Sequence, residues 1–390
     1  MSKGQERRTA VAYFISRLNT ASFIVPIYPL YLSTLGISVS LIVLVSNLYL
    51  ILTLTFKPIV AYFIADRISR KLSWILALLS FIVGLSIYIV ANSLREIVIA
   101  ELIYNIGAVF RGQNPEIIVF ERLRDQSLVT RALFQGELES LITIGLFSII
   151  GGFVAEYNLK LPFMLSLATL LFMLVTSVIL IEDVKGDVKR FNSNGTKGSF
   201  KTSLKTCIKS LGKRRALPLI TMSLMIALIR SIITPLMPLL LKNAGFSIIL
   251  ISFTYASVGM MLVMITRFYR DRFSNIIFNP LSKPIMLMIL SIAPLMSLLG
   301  GPLMLIASFL VLTLIPQLLR PLIFTQLQEF TSHELRSTFN SLISSIVSFT
   351  TFMVVSIISL LNLSIEVMLM LATIISFILT SSIFLLEYRV

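Results

Sequence analysis

Polar side chains that could bind protons recur on one face of a strongly apolar segment near residue 100. On a helix that turns by about 100° per residue, Glu101, Asn105, Gly112 and Glu116 fall within roughly 60° of one another. A charged side chain inside a membrane span costs on the order of 3 kcal/mol, so its presence there requires a reason. We predict that Glu101 and Glu116 bind and release protons and that Asn105 contacts a solute. The alternative is a structural network of ion pairs that holds helices together.

Three arginines add positive charge to the apolar segments. Arg17 and Arg230 precede the prolines Pro29 and Pro238 by 12 and 8 residues, so they differ in depth by about one helical turn. Because a guanidinium fits phosphate or carboxylate groups, both are predicted to converge on an anion. Arg17 could equally extend to the membrane surface or neutralise a glutamate. Arg111 lies beside the polar face and is predicted to contact a neighbouring helix or the solute.

The elements that position these residues are predicted to be membrane helices. The chain has 390 residues, of which 56% are hydrophobic and 13% charged, and its mean hydropathy is +0.94. That composition leaves too little polar surface for a soluble globule of this size. Runs of about 20 apolar residues predict twelve spans, near 9–33, 39–64, 73–92, 97–120, 133–155, 161–181, 216–241, 247–266, 283–300, 302–327, 338–362 and 365–386.

The net charge of +15 follows the membrane topology. Between the predicted spans, 25 Lys and Arg residues lie on one side and only Arg95, Lys160 and Lys242 on the other. The positive-inside rule therefore places both termini and the connector 182–215 in the cytoplasm of a multi-pass cell-membrane protein. This distribution argues against nucleic acid as a partner.

The sequence is an internal duplication. Four short patterns recur in the same order at offsets of 204 to 209 residues, and two similar halves around one interface are typical of transporters. The clearest pair is Pro26, Pro29, Gly36 and Ser38 with Pro235, Pro238, Gly245 and Ser247.

Only the segment 182–215 is long and polar, and it divides the chain. We predict an N-terminal six-helix bundle over 1–181, a cytoplasmic linker over 182–215 and a C-terminal six-helix bundle over 216–390.

The single cysteine, Cys207, permits no disulfide within the chain. No nucleophilic or metal-binding motif and no phosphate-binding loop is present in the sequence, so we expect neither an enzyme nor a cofactor.

One loop motif identifies a family. After the second predicted span, the run Asp66-Arg67-Ile-Ser69-Arg70-Lys71 resembles the loop motif Gly-x-x-x-Asp-Arg-x-Gly-Arg-Arg/Lys of the major facilitator superfamily. The resemblance implies an all-α membrane protein with twelve transmembrane helices in two pseudo-symmetric six-helix bundles. It also implies a cytoplasmic gate, formed here by Asp66, Arg67 and Arg70 and by their repeat partners Asp271 and Arg272.

Several positions depart from the family pattern. Both glycines of the loop motif are replaced, by Tyr62 and Ser69. Glu101 stands where many members have an arginine on the fourth helix, so the proton-relay role of that arginine does not carry over. The Gly-Pro-x-x-Gly-Gly signature of family antiporters is half preserved, because Gly151 and Gly152 follow Phe147 and Ser148. This weakens the case for drug/proton antiport.

These observations predict a monomeric secondary active transporter that moves a small organic solute by alternating access and is coupled to protons. An anionic solute is favoured because five cations lie within the predicted spans against four carboxylates. One alternative is a multidrug or hydrophobic-compound exporter, whose adaptable pocket many Met, Phe and Leu residues would line. Another is a non-transporting membrane scaffold or lipid-handling protein, because fold does not fix function.

The topology predicts opposite exposure for Lys160 and Gly195. In a chain with Cys207 replaced by serine, a cysteine at Lys160 should react with an impermeant maleimide only from outside the cell. A cysteine at Gly195 should react only from the cytoplasm, because the positive charge lies on that side. Labelling of both from one side would contradict the twelve-span topology.

Overall fold

The computed structural model of the protein describes residues 15, 18, 20–60, 69–111, 126–181, 216–268, 282–299, 301–328 and 336–388. Every regular element in these ranges is helical. A short 3-10 helix covers Thr20–Phe23. The α-helices are α1 (Tyr28–Thr34), α2 (Val39–Ser46), α3 (Tyr49–Thr55), α4 (Lys57–Val60), α5 (Arg70–Val90), α6 (Leu94–Arg111), α7 (Gln126–Ala155), α8 (Leu161–Leu180), α9 (Ala216–Asn243), α10 (Ile248–Phe268), α11 (Ser282–Met296), α12 (Pro302–Gln328), α13 (Arg336–Leu360) and α14 (Ile365–Tyr388).

The duplicated motif forms the same turn twice. Gly36 and Gly245 have φ angles of +73° and +87°, which glycine adopts without steric cost. The Ser38 hydroxyl then accepts a hydrogen bond from the Leu41 N–H at 3.4 Å and caps α2. The Ser247 hydroxyl accepts one from Leu250 N–H at 3.2 Å and caps α10. Each copy of the motif therefore ends one helix and starts the next in the same way.

The second predicted span, 39–64, is interrupted rather than continuous. Turns at residues 47–48 and 56 separate α2, α3 and α4. Pro58 accounts for the second break, because proline has no N–H to continue the hydrogen bonding of α3 and its ring crowds the preceding turn. At the first break, the Asn47 N–H bonds to Leu44 O at 3.0 Å. In a regular helix the Asn47 N–H would bond to the Val43 carbonyl. Because it bonds to Leu44 instead, the Val43 carbonyl has no donor within the helix.

Several described helices suit a lipid environment. Five are long and apolar enough to cross a membrane by length and composition: Lys71–Val90, Leu161–Leu180, Ala216–Asn243, Leu342–Leu360 and Ile365–Leu386. Large apolar side chains are exposed on many helices, including Ile179 at 72% and Leu360 at 79%. Such surfaces are stable in hydrocarbon and unfavourable in water.

Two compact units group the helices. One comprises Met1–Gly36, Thr55–Gly195 and Ser247–Val263, and within it α5 packs on α6 and α8. The other comprises Ile37–Leu54, Thr196–Phe246 and Met264–Val390, and within it α9 contacts α2, α12, α13 and α14. The division into six-helix bundles over 1–181 and 216–390 stays a prediction.

The partly preserved glycine signature of α7 forms a close contact with the chain before α1. Phe147 stacks on Phe23, with ring centroids 4.2 Å apart and 12° between the ring planes. Ser148 Oγ donates to the Ser22 carbonyl at 3.2 Å. Pro26 has no N–H to offer that carbonyl, so Ser148 supplies the missing donor. A Cβ on Gly151 would lie 2.2 Å from Phe23 O, so only glycine fits there.

Gly151→Ala should therefore destabilise the protein strongly. The new methyl group would collide with backbone, and overpacking of this kind costs about 3 kcal/mol. The matched control is Gly145→Ala on the same helix, where the nearest atoms would lie 3.5 Å from the added carbon. Thermal unfolding of the purified protein in detergent measures both. Equal melting temperatures for the two variants would contradict this packing.

Candidate functional site

Glu101 is buried in the middle of α6, with 9% of its surface exposed. Asn105, predicted to contact a solute, lies one turn further along the same helix. The Asn105 amide uses both hydrogens on this residue, donating to Glu101 Oε1 at 2.8 Å and to the Glu101 carbonyl at 2.9 Å. The spacing seen in the sequence therefore brings the two side chains into direct contact.

Two tyrosines complete the shell of Glu101. Tyr28 Oη donates to Glu101 Oε2 at 2.9 Å, and Tyr88 Oη donates to the same oxygen. The two hydroxyl oxygens are 3.0 Å apart, and the rings meet edge to face at 5.6 Å. Tyr28 lies in the first turn of α1 and Tyr88 lies near the end of α5. We call Tyr28, Tyr88, Glu101 and Asn105 the Glu101 cluster.

A second layer fixes the tyrosines. Tyr31 Oη contacts two carbonyls at the end of α5, those of Tyr88 at 3.0 Å and Ala91 at 3.1 Å. Phe163 packs against the rings of Tyr31 at 5.0 Å and Tyr88 at 5.6 Å. These contacts hold α1 against the end of α5 and restrict the position of the Tyr88 hydroxyl.

Small residues allow the close approach of α5 and α6. A Cβ on Gly84 would lie 2.8 Å from Tyr104 Cβ, and one on Gly107 would lie 2.8 Å from Ala77 O. Glycine is needed on both helices because the opposite backbone or Cβ occupies that space. The resulting contact brings Tyr88 of α5 within reach of Glu101 on α6.

The number of protons in the cluster depends on the charge of Glu101. Tyr28 Oη, Tyr88 Oη and Glu101 Oε2 form three mutual contacts. With an ionised carboxylate, only the two hydroxyl protons are available, so only two contacts are hydrogen bonds. A neutral carboxyl adds a third proton, and all three contacts can be hydrogen bonds. Oε1 accepts from Asn105 in both states, so the cluster can hold Glu101 with or without its proton.

The comparisons with known proteins identify the family. The sequence matches the Major Facilitator Superfamily over residues 9–355. The chain belongs to the major facilitator superfamily. It is therefore a secondary transporter and not an enzyme, and its helices form the all-α fold of that superfamily, as predicted. A search among curated proteins finds no match.

Solved structures of the superfamily share the fold. The nucleoside transporter NupG matches with a TM-score of 0.76 and 11% identity, over 98% of this chain and 99% of that chain. A POT family transporter in complex with 5-aminolevulinic acid matches with a TM-score of 0.69 and 12% identity, over 100% and 97%. A D-xylose–proton symporter matches with a TM-score of 0.67 and 14% identity, over 90% and 88%. At these identities the likeness shows the fold.

The cytoplasmic loop motif of the superfamily is described only from Ser69 onwards. Ser69 replaces the second glycine of the motif and caps α5, because its Oγ accepts from Leu72 N–H at 3.0 Å. Its φ of −170° is extended backbone, which needs no glycine. Arg70 begins α5. The other predicted gate residues, Asp66, Arg67, Asp271 and Arg272, lie outside the described residues.

The predicted arginines of this superfamily member take different positions. The guanidinium of Arg111 lies 5.8 Å from the ring centroid of Trp74 on α5, within the range of a cation–π contact. Its predicted contact with the solute stays a prediction. Arg230 is exposed on α9 and is an electrostatic neighbour of Tyr49. Arg17 and Glu116 lie outside the described residues. Among the described residues, no group of three or more His, Cys, Asp or Glu could hold a metal ion.

Sequence reasoning missed the two tyrosines. Tyrosine in an apolar span carries no charge, so it gave no signal of its own. For Tyr28, the duplication offers a signal, because Tyr28 and its neighbour Tyr31 occupy positions where the second copy has Met237 and Leu240. A polar residue in only one copy of a repeated helix indicates a site that belongs to that copy.

The cluster predicts a sharp difference between two variants of Glu101. Glu101→Gln should keep the stability within about 1 kcal/mol, because glutamine, like the neutral acid, both accepts from Asn105 and donates to a tyrosine. Glu101→Ala should cost about 3 kcal/mol, because three buried donors lose their acceptor. Thermal unfolding in detergent at neutral pH distinguishes the two. Equal losses would show that the negative charge of Glu101 is what stabilises this conformation.

Proposed function

We propose that the protein is a proton-coupled secondary transporter of the cell membrane, with Glu101 as its proton carrier. The observation that supports this most directly is the Glu101 cluster itself. Glu101 is buried, and among the described residues its three side-chain hydrogen-bond donors are neutral groups. A carboxyl in such surroundings can exist in two protonation states.

The position of Tyr28 connects protonation to helix movement. Tyr28 lies between Pro26 and Pro29 and begins α1, directly after the turns at residues 24–27. When Glu101 loses its proton, one of the three hydrogen bonds among Tyr28, Tyr88 and Glu101 is lost, and the two that remain become stronger bonds to a carboxylate. The buried carboxylate itself is costly unless water reaches it. Proton release at Glu101 therefore favours a conformation in which α1 moves and water reaches Glu101, and alternating access requires such a change.

The solute is proposed to be small, organic and anionic. The excess of cations over carboxylates within the predicted spans supports this, because a guanidinium such as that of Arg230 suits carboxylate and phosphate groups. Arg17 is the expected second cation, Asn105 and Arg111 are expected contacts, and Glu116 is expected to share the proton path. The proposed monomer lies in the membrane with both termini and the linker 182–215 in the cytoplasm, as the charge distribution requires.

Identifying a solute comes first. Purified protein is screened by thermal unfolding with nucleosides, pentoses, dipeptides and glycerol phosphate, which cover neutral, zwitterionic and anionic classes. An anionic compound should give the largest rise in melting temperature, because ligand that binds only folded protein stabilises it. Stabilisation by neutral compounds alone would contradict the anionic preference.

Glu101→Gln should separate exchange from accumulation of the solute found in that screen. In proteoliposomes the variant should retain solute exchange, because glutamine preserves the neutral form. It should lose accumulation driven by a pH gradient by at least about tenfold, because it cannot titrate. Accumulation at the rate of the unsubstituted protein would rule out Glu101 as the carrier.

The matched control is Glu96→Gln, on the same helix. Glu96 is exposed at the start of α6, where its carboxylate accepts from the Asn92 N–H at 2.7 Å. Hydrogen bonds from Asn92 and Ser93 hold the pKa of Glu96 below its usual range. It therefore stays ionised near neutral pH and carries no proton, so its variant should accumulate solute normally.

A further inference from the structure

The carbonyl of Ser231 in α9 needs a donor from outside its own helix. In a regular helix this carbonyl would accept from the N–H four residues later, which is position 235. That residue is Pro235, which has no N–H. A buried carbonyl without a donor is costly, above all where no water is present.

Asn47 supplies the donor. Its Nδ2 donates to Ser231 O at 2.8 Å and to Val43 O at 2.8 Å. Val43 lost its own helical donor where α2 ends, because the Asn47 N–H bonds to Leu44 O instead. One amide group therefore satisfies two carbonyls, one released where α2 ends and one released by Pro235 in α9. Asn47 is 2% exposed, so both bonds are shielded from water.

The first repeat treats its proline differently. There the carbonyl released by Pro26 accepts from Ser148, which belongs to the same half of the sequence. Asn47 comes from the first half of the sequence and Ser231 from the second. At the offset of the repeat, the position matching Asn47 is Ala256, which has no donor. The bond from Asn47 therefore has no counterpart in the other copy.

We propose that the hydrogen bond from Asn47 to Ser231 O is a lock that joins the end of α2 to α9. It forms when the extracellular side is closed and breaks when that side opens. The proposal rests on the proposed alternating access, which requires helices from the two sequence halves to part at their outer ends. Opening admits water, which replaces the amide as donor to Ser231 O. Loss of the amide therefore raises the free energy of the closed state more than that of the open state.

The test follows the opening through a cysteine placed under the lock. Ser231→Cys in a Cys207→Ser background changes only the side chain, so the carbonyl that Asn47 binds remains. Ser231 is 6% exposed, so a small impermeant methanethiosulfonate applied from outside should react at a rate proportional to the open population. Asn47→Ala should raise that rate about tenfold, equivalent to about 1.4 kcal/mol. An exposed cysteine at Asn243 in place of position 231 controls for reagent access and should react equally with and without Asn47→Ala.

Pro235→Ala provides the decisive second variant. It restores an N–H at position 235, so Ser231 O regains a helical donor and no longer needs Asn47. In the Pro235→Ala background, Asn47→Ala should raise the rate less than threefold. Pro238→Ala is the matched control: its restored N–H lies opposite Thr234 O rather than Ser231 O, so it should leave the tenfold effect intact.

Each result decides the proposal. The proposal is wrong if Asn47→Ala leaves the labelling rate unchanged. It is also wrong if Pro238→Ala suppresses the effect of Asn47→Ala to the same degree as Pro235→Ala does. If Asn47→Ala fails to fold because the Val43 carbonyl also loses its donor, Pro235→Ala alone should raise the labelling rate and Pro238→Ala alone should not, and equal rates for these two variants would overturn the proposal. The labelling needs neither solute nor proton gradient, so its outcome is independent of the role proposed for Glu101.

Discussion

Every backbone carbonyl inside a membrane needs a hydrogen-bond donor, because hydrocarbon offers none. Helices meet this requirement by themselves except where proline removes an N–H or a turn interrupts the ladder. In this protein Pro26 lies just before α1 and Pro235 lies within the repeat-related helix α9. A further interruption follows the end of α2. At each of these places a polar side chain from another turn or helix supplies the missing donor. Ser148 serves Ser22, and Asn47 serves both Val43 and Ser231.

The same requirement shapes the surroundings of Glu101. Tyr31 donates to carbonyls at the end of α5, where the helical ladder runs out, and so ties α1 to that end. Tyr28 lies three residues earlier, between Pro26 and Pro29, and donates to Glu101. The irregular backbone before α1 is therefore part of the site. It gives Tyr28 a position that a continuous helix, with its fixed rise and turn, would not provide.

The departures from the superfamily pattern have physical explanations in the structure. A serine can replace the second glycine of the loop motif because Ser69 caps α5 in an extended conformation. In α7, Phe147 and Ser148 of the altered signature stack on Phe23 and bind the Ser22 carbonyl, while Gly151 keeps the room that the backbone at Phe23 needs. Glu101, in place of an arginine, is surrounded by neutral donors that suit a carboxyl in either protonation state.

The sequence by itself determined the features that depend on local periodicity. These are the apolar spans, the repeated motif around Gly36 and Gly245, and the helical face that Glu101 shares with Asn105. From α5 onwards the described helix limits lie within a few residues of those predicted, except that α7 begins at Gln126 rather than near residue 133, and apart from the parts that fall outside the described residues. The tertiary structure alone decided the partners of Glu101 and the bond from Asn47 to Ser231, which joins residues 184 positions apart. Side chains on different helices meet only after those helices pack, and neither hydropathy nor spacing encodes which uncharged tyrosine or asparagine will face which carbonyl.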